Sequence, residues 1–242
     1  MPITPDILYE DNHLVAVNKP AGVLSQGDGS SREDLLETVR EYIRIKYNKP
    51  GNVFIGLVHR LDLPVTGAMI FARTSKAARR LHQEFLHKRT RKFYLALVRD
   101  RGALKNGWQL LEGYTLRKGD KTEITTSPVK DAQKALLRYL KIAVHKDYSL
   151  VLIQLKTGRK HQIRAQLAHE GYPVLGDQRY GSDEATGEAI ALHACFLRFK
   201  HPVRDEYITL TAPAPEVFLQ KFPGVNKLEK KIIDSIETEI SG

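Results

Sequence analysis

The sequence predicts a mixed α+β fold, with a mainly antiparallel central sheet and flanking helices. Three observations support this. Apolar, β-branched runs recur along the chain, and several are separated only by short polar turns, as in ILYEDNHLVAVNK (7–19) and ALLRYLKIAVHKDYSLVLIQL (135–155). Segments with helical spacing fall among these strands in a mixed order. The 242 residues, 42% of them hydrophobic, are enough to bury the core of one large domain.

Residues 7–19 read as two short strands around an Asp11-Asn12 turn, closed by Lys19-Pro20 and the loop AGVLSQGDGSS. An amphipathic helix is expected from about Ser31, where Ser31 and Asp34 have capping-box spacing, with Leu35, Leu36, Val39, Tyr42 and Ile43 on its apolar face. FIGLV (54–58) and AMIFAR (68–73) read as strands flanking the loop HRLDLPVTG. TSKAARRLHQEFLHK (74–88) reads as a helix with Ala78, Leu81 and Phe85 inward, and RKFYLALVR (91–99) as a strand too apolar for a solvated loop. Between residues 100 and 134 Gly, Lys and Thr dominate, and only irregular strands and loops are expected. ALLRYLKIAVH and YSLVLIQLKTG are long strands joined by a Lys-Asp turn, and HQIRAQLAHEG is a short helix capped by Gly171. IALHACFLRF and EYITL add strands, and APAPEVFLQKF a proline-marked stop with one or two helical turns. Residues 1–225 are expected to form one domain, and 226–242 an amphipathic helical tail, with apolar residues at 228, 232, 233, 236 and 240.

Composition narrows the function. Lys and Arg number 38 against 28 Asp and Glu, a formal charge of +10, which favours a polyanionic partner. The excess clusters in HKRTRK (87–92) and TGRKHQIR (157–164). One cysteine, Cys195, excludes an internal disulfide framework; the first residues lack a signal-peptide pattern, and no apolar run nears the roughly 18 residues of a membrane helix. A cytoplasmic location, no membrane and a monomer are therefore expected. His161 and His169 lie eight apart, and His82 and His87 five apart. Neither spacing presents two ligands on one helix face, so no metal is expected. QGDGS lacks phosphate-loop spacing.

One carboxylate stands out. Asp62 ends an apolar segment beside Pro64 and Gly67, where a stranded charge costs several kcal/mol unless it is paired, solvated by a cleft, or used. It either pins the loop through an arginine, Arg60 or another, or it reacts. Arg164, in GRKHQIR among apolar neighbours, is a plausible partner that would keep it ionised. His59 reads as a structural hydrogen bonder rather than a general base.

Three blocks, HRLDLPVTGAMIFART, RKFYLALV and LKTGRKHQIRAQL, resemble in order and spacing the signature segments of RluA/TruC-like RNA pseudouridine synthases. VNKPAGVLS, GYPVLGDQRYG and LHACFLRFKHP extend the resemblance over roughly residues 7–212. It implies the pseudouridine synthase fold, with a cleft floored by the Asp62 loop, and conversion of selected uridines in RNA to pseudouridine without cofactor or metal. It implies that Asp62 is the catalytic aspartate, Tyr94 the tyrosine facing the target base, and Arg164 the partner of the aspartate. Arg60 corresponds to a residue that fills the space left by the flipped base. RNA contacts are expected from Arg60, His59, Lys88, Arg89, Arg91, Arg159 and Lys160. The chain departs from the family pattern at Leu63, usually Arg or Lys, and at Val65 and Thr66, where Thr-Ser is common. Transfer and ribosomal RNA are both used by the family; the proline of LDLPVTG is similar to the TruC-like members, which act on transfer RNA. Two other readings stay open: a non-catalytic RNA-binding or RNA-folding factor on the same scaffold, and a small-molecule nucleoside hydrolase, which the basic surface disfavours.

Overall fold

The computed structural model describes residues 4–100 and 104–241. Its strands are β1 (Asp6–Glu10), β2 (Leu14–Lys19), β3 (Gly56–Leu57), β4 (Thr66–Ala72), β5 (Arg91–Arg99), β6 (Trp108–Lys118), β7 (Lys121–Thr125), β8 (Gln133–His145), β9 (Tyr148–Leu155), β10 (Leu192–Lys200) and β11 (Tyr207–Thr211). Its helices are α1 (Leu35–Lys46), α2 (Ser75–Leu86), α3 (Gln162–His169), α4 (Glu216–Lys221) and α5 (Glu229–Ser241). The α+β class follows directly. The chain divides into two compact units, Met1–Thr90 with Ala194–Pro213, and Arg91–His193 with Ala214–Gly242.

In the first unit the strand order is β1-β2-β4-β10, with β3 on β4 and β11 on β10. β2 and β4 are antiparallel over Leu14↔Ala72 to Lys19↔Gly67, and β4 is buried at every position. Leu14, Ala16, Ala68, Ile70 and Ala72 point to one face, where they pack with Ala77, Leu81, Phe199 and Leu210 in a single core. Such two-sided burial is why these strands read as continuous apolar runs rather than as alternation.

Two local expectations are corrected here. α1 begins at Leu35, not Ser31, because Leu24 and Glu33–Leu35 are held together in an extended bridge, Leu24 N to Glu33 O at 3.1 Å and Leu35 N to Leu24 O at 2.8 Å. Asp34 is the cap, its carboxylate accepting the Glu37 amide at 2.9 Å. The FIGLV strand shortens to Gly56–Leu57 because the next ladder donor on β4, the Ile70 amide, is taken by the His59 imidazole at 3.1 Å. In α2, capped by Thr74, the expected inward residues hold: Leu81 is buried with Ala77, and Ala78 and Phe85 are partly buried against the same core.

The second unit is an antiparallel run, β5-β9-β8-β6-β7. β8 and β9 turn at Lys146-Asp147, where Lys146 takes φ 52°. β6 and β7 lie in the stretch expected to be irregular, of which 101–103 fall outside the described residues. β6 is eleven residues long yet buries only Gly113 and Thr115, so polar side chains dilute its apolar signal. α3 is buried almost all round and ends on Gly171 at φ 84°, with Tyr172 N donating to Leu167 O at 2.9 Å. The tail helix α5 buries Ile232 and Ile236 and is tied to β8 through Arg138–Glu239 and through Lys231 Nζ donating to Ile142 O. No described helix is long and apolar enough to cross a membrane.

Gly67 opens β4 opposite Lys19 at φ 120°. A Cβ there would lie 2.4 Å from the Ala194 carbonyl oxygen and 2.6 Å from its nitrogen, so both strain and backbone overlap forbid a side chain. Gly67→Ala should therefore lower the unfolding free energy by about 2 kcal/mol or more in urea titrations. A loss under about 0.5 kcal/mol, typical of an unconstrained surface change, would contradict the close approach.

Candidate active site

Asp62 sits on a loop held by its backbone. The loop closes on itself through Val65 N to Asp62 O at 3.0 Å. Ser25 Oγ donates to Leu61 O at 2.7 Å and accepts from Leu61 N at 3.1 Å, and Gly22 N donates to Leu63 O at 3.1 Å. At the centre is Lys19, at the end of β2 and 0% exposed. Its ammonium donates to three carbonyls, Pro20 at 2.9 Å, Val65 at 3.0 Å and Leu63 at 3.1 Å. Those are all the protons it carries. Burial pushes its pKa down to about 8, while the negative charge of Asp62 acts in the opposite sense.

This arrangement bears on the departures at Leu63, Val65 and Thr66. Leu63 and Val65 offer carbonyls, which any residue has, and Val65 and Thr66 are buried, 2% and 6% exposed. The aspartate itself is half-buried and Arg60, two residues before it, is exposed. His59 is half-buried: its Nε2 accepts the Ile70 amide and its ring stacks on Phe85 at 4.6 Å, so it has a structural task in ending β3.

Tyr94 and Arg164 belong to the second unit. Tyr94 lies on β5 opposite Ile153, which is in turn opposite Tyr139 on β8, so the three share one face of the sheet. Tyr94 is 8% exposed, and burial pushes the Tyr139 phenol up. Arg164 is held in a bidentate pair by Asp177, Nε to Oδ2 at 2.6 Å and Nη2 to Oδ1 at 2.8 Å, with both side chains buried. The guanidinium carbon also lies 5.0 Å from the centre of the Tyr180 ring. The Tyr180 hydroxyl accepts the Thr122 amide at 2.8 Å and meets His161 Nδ1 at 2.9 Å. Burial raises the Tyr180 phenol, against the lowering effect of the Thr122 bonds.

Sequence reasoning missed Asp177 and Tyr180. Lys19, where an apolar strand runs straight into Lys-Pro, reads from sequence equally as a cleft-edge lysine or a turn lysine. Asp177 and Tyr180 lie in LGDQRYG, where nothing local names their partners. Of the basic residues, Lys88, Arg89, Arg91 and Lys160 are exposed and Arg159 half-buried. Arg89 pairs with Glu84 at 2.9 Å, and Arg159 Nε donates to the Lys134 carbonyl at 3.1 Å. Among the described residues no group of three His, Cys, Asp or Glu side chains is placed to hold a metal.

A family model described as RNA pseudouridylate synthase matches residues 13–169, which contain Lys19, Asp62, Tyr94 and Arg164. The chain belongs to the RluA/TruC-like RNA pseudouridine synthases. Members of that family are RNA isomerases, so its substrate is RNA. Relatives include the tRNA pseudouridine synthase C of Haemophilus ducreyi, 34% identical over 86% of this chain and 90% of its own length. The ribosomal large subunit pseudouridine synthase C of Vibrio parahaemolyticus is 29% identical over 91% of this chain and 69% of its own. The solved structure of Human RNA Pseudouridylate Synthase Domain Containing 4 shares the fold, with a TM-score of 0.73 at 22% identity over 88% of this chain and 90% of that one.

Lys19 gives this synthase a stability dependence on pH. Its folded pKa of about 8 lies below the ordinary 10.5, so between those values the unfolded chain binds more protons than the folded one. Stability from this group should thus rise with pH from 8 to 10.5, by at most about 3 kcal/mol. The difference in unfolding free energy between wild type and Lys19→Met, measured in urea at a series of pH values, should shift in favour of wild type across that window. Parallel curves would contradict the burial of a charged Lys19.

Proposed function

We propose that the chain isomerises specific uridines in RNA, with Asp62 as the catalytic carboxylate. The observation that carries this is the loop itself: a half-buried carboxylate whose neighbouring carbonyls are held by a buried ammonium. The reaction breaks the bond from sugar carbon 1′ to uracil nitrogen 1, turns the base, and forms a bond from the same carbon to uracil carbon 5. A proton leaves carbon 5 and one is gained at nitrogen 1. Atoms and electrons balance without oxidant or reductant, so the reading needs no cofactor and no metal. A positioned carboxylate serves as nucleophile at the sugar or stabilises its developing positive charge.

Arg164 is assigned as the counter-charge of Asp62, and its Nε and Nη2 are already oriented by Asp177. Tyr94 is assigned to pack against the extruded base, and exposed Arg60 to fill the gap in the stack, which offsets an unstacking cost of a few kcal/mol. His59, Lys88, Arg89, Arg91, Arg159 and Lys160 are assigned to RNA contact. Transfer RNA is the favoured substrate, because the relatives named tRNA pseudouridine synthase C reach 34% identity, against 29% and 30% for those named for the ribosomal large subunit. The reading places residues 1–225 in the catalytic domain and 226–242 in its tail, and the protein in the cytoplasm as a monomer.

The test is to map new pseudouridines after incubating total RNA, from a strain lacking the protein, with wild type, Asp62→Asn or Arg164→Met. Asp62→Asn should keep its melting temperature, bind RNA within a few fold of wild type, and form no product. Arg164→Met should lose turnover more than RNA affinity. A stable, binding-competent Asp62→Asn protein that still makes pseudouridine would end the assignment. A large loss of stability instead, about 3 to 5 kcal/mol, would mark Asp62 as a brace.

A further inference from the structure

The outer face of α2 is built against its own stability. Lys76, Arg79, Arg80, Gln83 and His87 recur at intervals of three or four residues on the side opposite the buried Ala77 and Leu81, and all five are exposed. The first turn holds no acidic residue, so Lys76 sits where the helix dipole favours a carboxylate, and Arg79 and Arg80 add like charges at i+3 and i+4. The one carboxylate of the helix, Glu84, stands one turn after Arg80 at the border of this face and pairs with Arg89. Arg80 Nη1 donates to the Pro202 carbonyl at 2.6 Å, which orients its guanidinium without neutralising it. Among the described residues Lys76, Arg79 and Lys88 have no ion pair.

At the end of the helix the dipole suits a cation, and the cost of Lys88 lies in its backbone instead. Lys88 N donates to Phe85 O at 3.1 Å and Arg89 N to Glu84 O at 3.0 Å, a capping turn that places residue 88 in the left-handed region at φ 56°. Glycine or asparagine adopts that conformation at less cost than lysine. The stripe thus keeps cations at the start of α2, where the dipole disfavours them, and the cap keeps a lysine where the backbone favours glycine. From Lys76 to Lys88 the run covers about 18 Å at 1.5 Å per residue.

We propose that this face of α2 binds the phosphate backbone of the RNA substrate, with Lys76, Arg79 and Lys88 as direct phosphate contacts. It rests on the reading that RNA is the substrate, and it adds Lys76 and Arg79 to Lys88, already assigned to RNA contact, as a track along the helix. A polyphosphate strand fits because its charges repeat along a line, as these do, while the carboxylate bordering the stripe, Glu84, is already paired with Arg89 and a folded protein partner would find a single exposed apolar side chain, Leu86.

The test compares wild type, Lys76→Gln/Arg79→Gln and Lys76→Glu/Arg79→Glu in binding to bulk transfer RNA over a series of NaCl concentrations. The Gln pair should make the slope of log affinity against log salt less steep by about 1.4, at roughly 0.7 per lost contact. The Glu pair should weaken RNA binding further while its melting temperature stays level or rises, because the new charges suit the helix dipole. Opposite movement of affinity and stability is the signature. Unchanged slope and affinity in both variants, with wild type still binding RNA and forming pseudouridine, would overturn this inference alone. Loss of binding to polyglutamate with RNA binding intact would overturn it in favour of an acidic protein partner. A wild type that forms no pseudouridine in any RNA would overturn the substrate reading, and this inference with it.

Discussion

The Lys19 ammonium, surrounded by three backbone carbonyls and shut off from water, is the interaction on which the geometry of the Asp62 loop depends. Taking a charge out of water costs several kcal/mol, and three charge-assisted hydrogen bonds offset only part of that. No neutral side chain does the same job, because none donates three protons from one atom to carbonyls on separate turns of the chain. The strand β2 delivers Lys19 from one side, and Gly67, lacking a Cβ, lets β4 start close against the Ala194 backbone on the other. The loop between them is therefore specified by main-chain atoms. Side chains at Leu63, Val65 and Thr66 are left to vary from the family pattern without releasing the carboxylate.

The second unit solves a similar problem with a side-chain pair. Arg164 projects from a short helix with almost no exposed face, so its guanidinium has to be both satisfied and aimed. Asp177 fixes two of its nitrogens in a plane and the Tyr180 ring covers its face, while the Tyr180 hydroxyl is itself pinned by Thr122 and His161. One unit fixes backbone and the other fixes side chains. In the proposed reaction such preorganisation would lower the reorganisation needed around Asp62 and around Arg164.

The strands were legible wherever burial on both faces made the apolar run continuous, as in β2, β4, β5 and β9. β6 was not, because Glu, Gly and Thr interleave with its Leu and Tyr residues and few of its positions are buried, and strand pairing rather than local composition makes it a strand. The start of α1 was misplaced by four residues because a long-range bridge to Leu24, invisible to local capping rules, keeps Glu33 and Asp34 extended. At the site, Asp62 announced itself as a charge in an apolar setting. Lys19 and Asp177 did not, since a lysine that bonds carbonyls, or an aspartate thirteen residues from its arginine, leaves no pattern until the chain is folded.

Hydrogen exchange of single backbone amides tests the role of Lys19 most directly. The Gly22 and Val65 amides, which donate to Leu63 O and Asp62 O, report on the loop, and amides of β9 serve as the internal reference. In Lys19→Met the account predicts that Gly22 and Val65 lose at least about tenfold of their protection relative to β9, a local opening eased by about 1.4 kcal/mol. Equal protection of the loop amides in wild type and variant, measured against β9, would show that the loop holds its shape without the buried ammonium and would contradict the account.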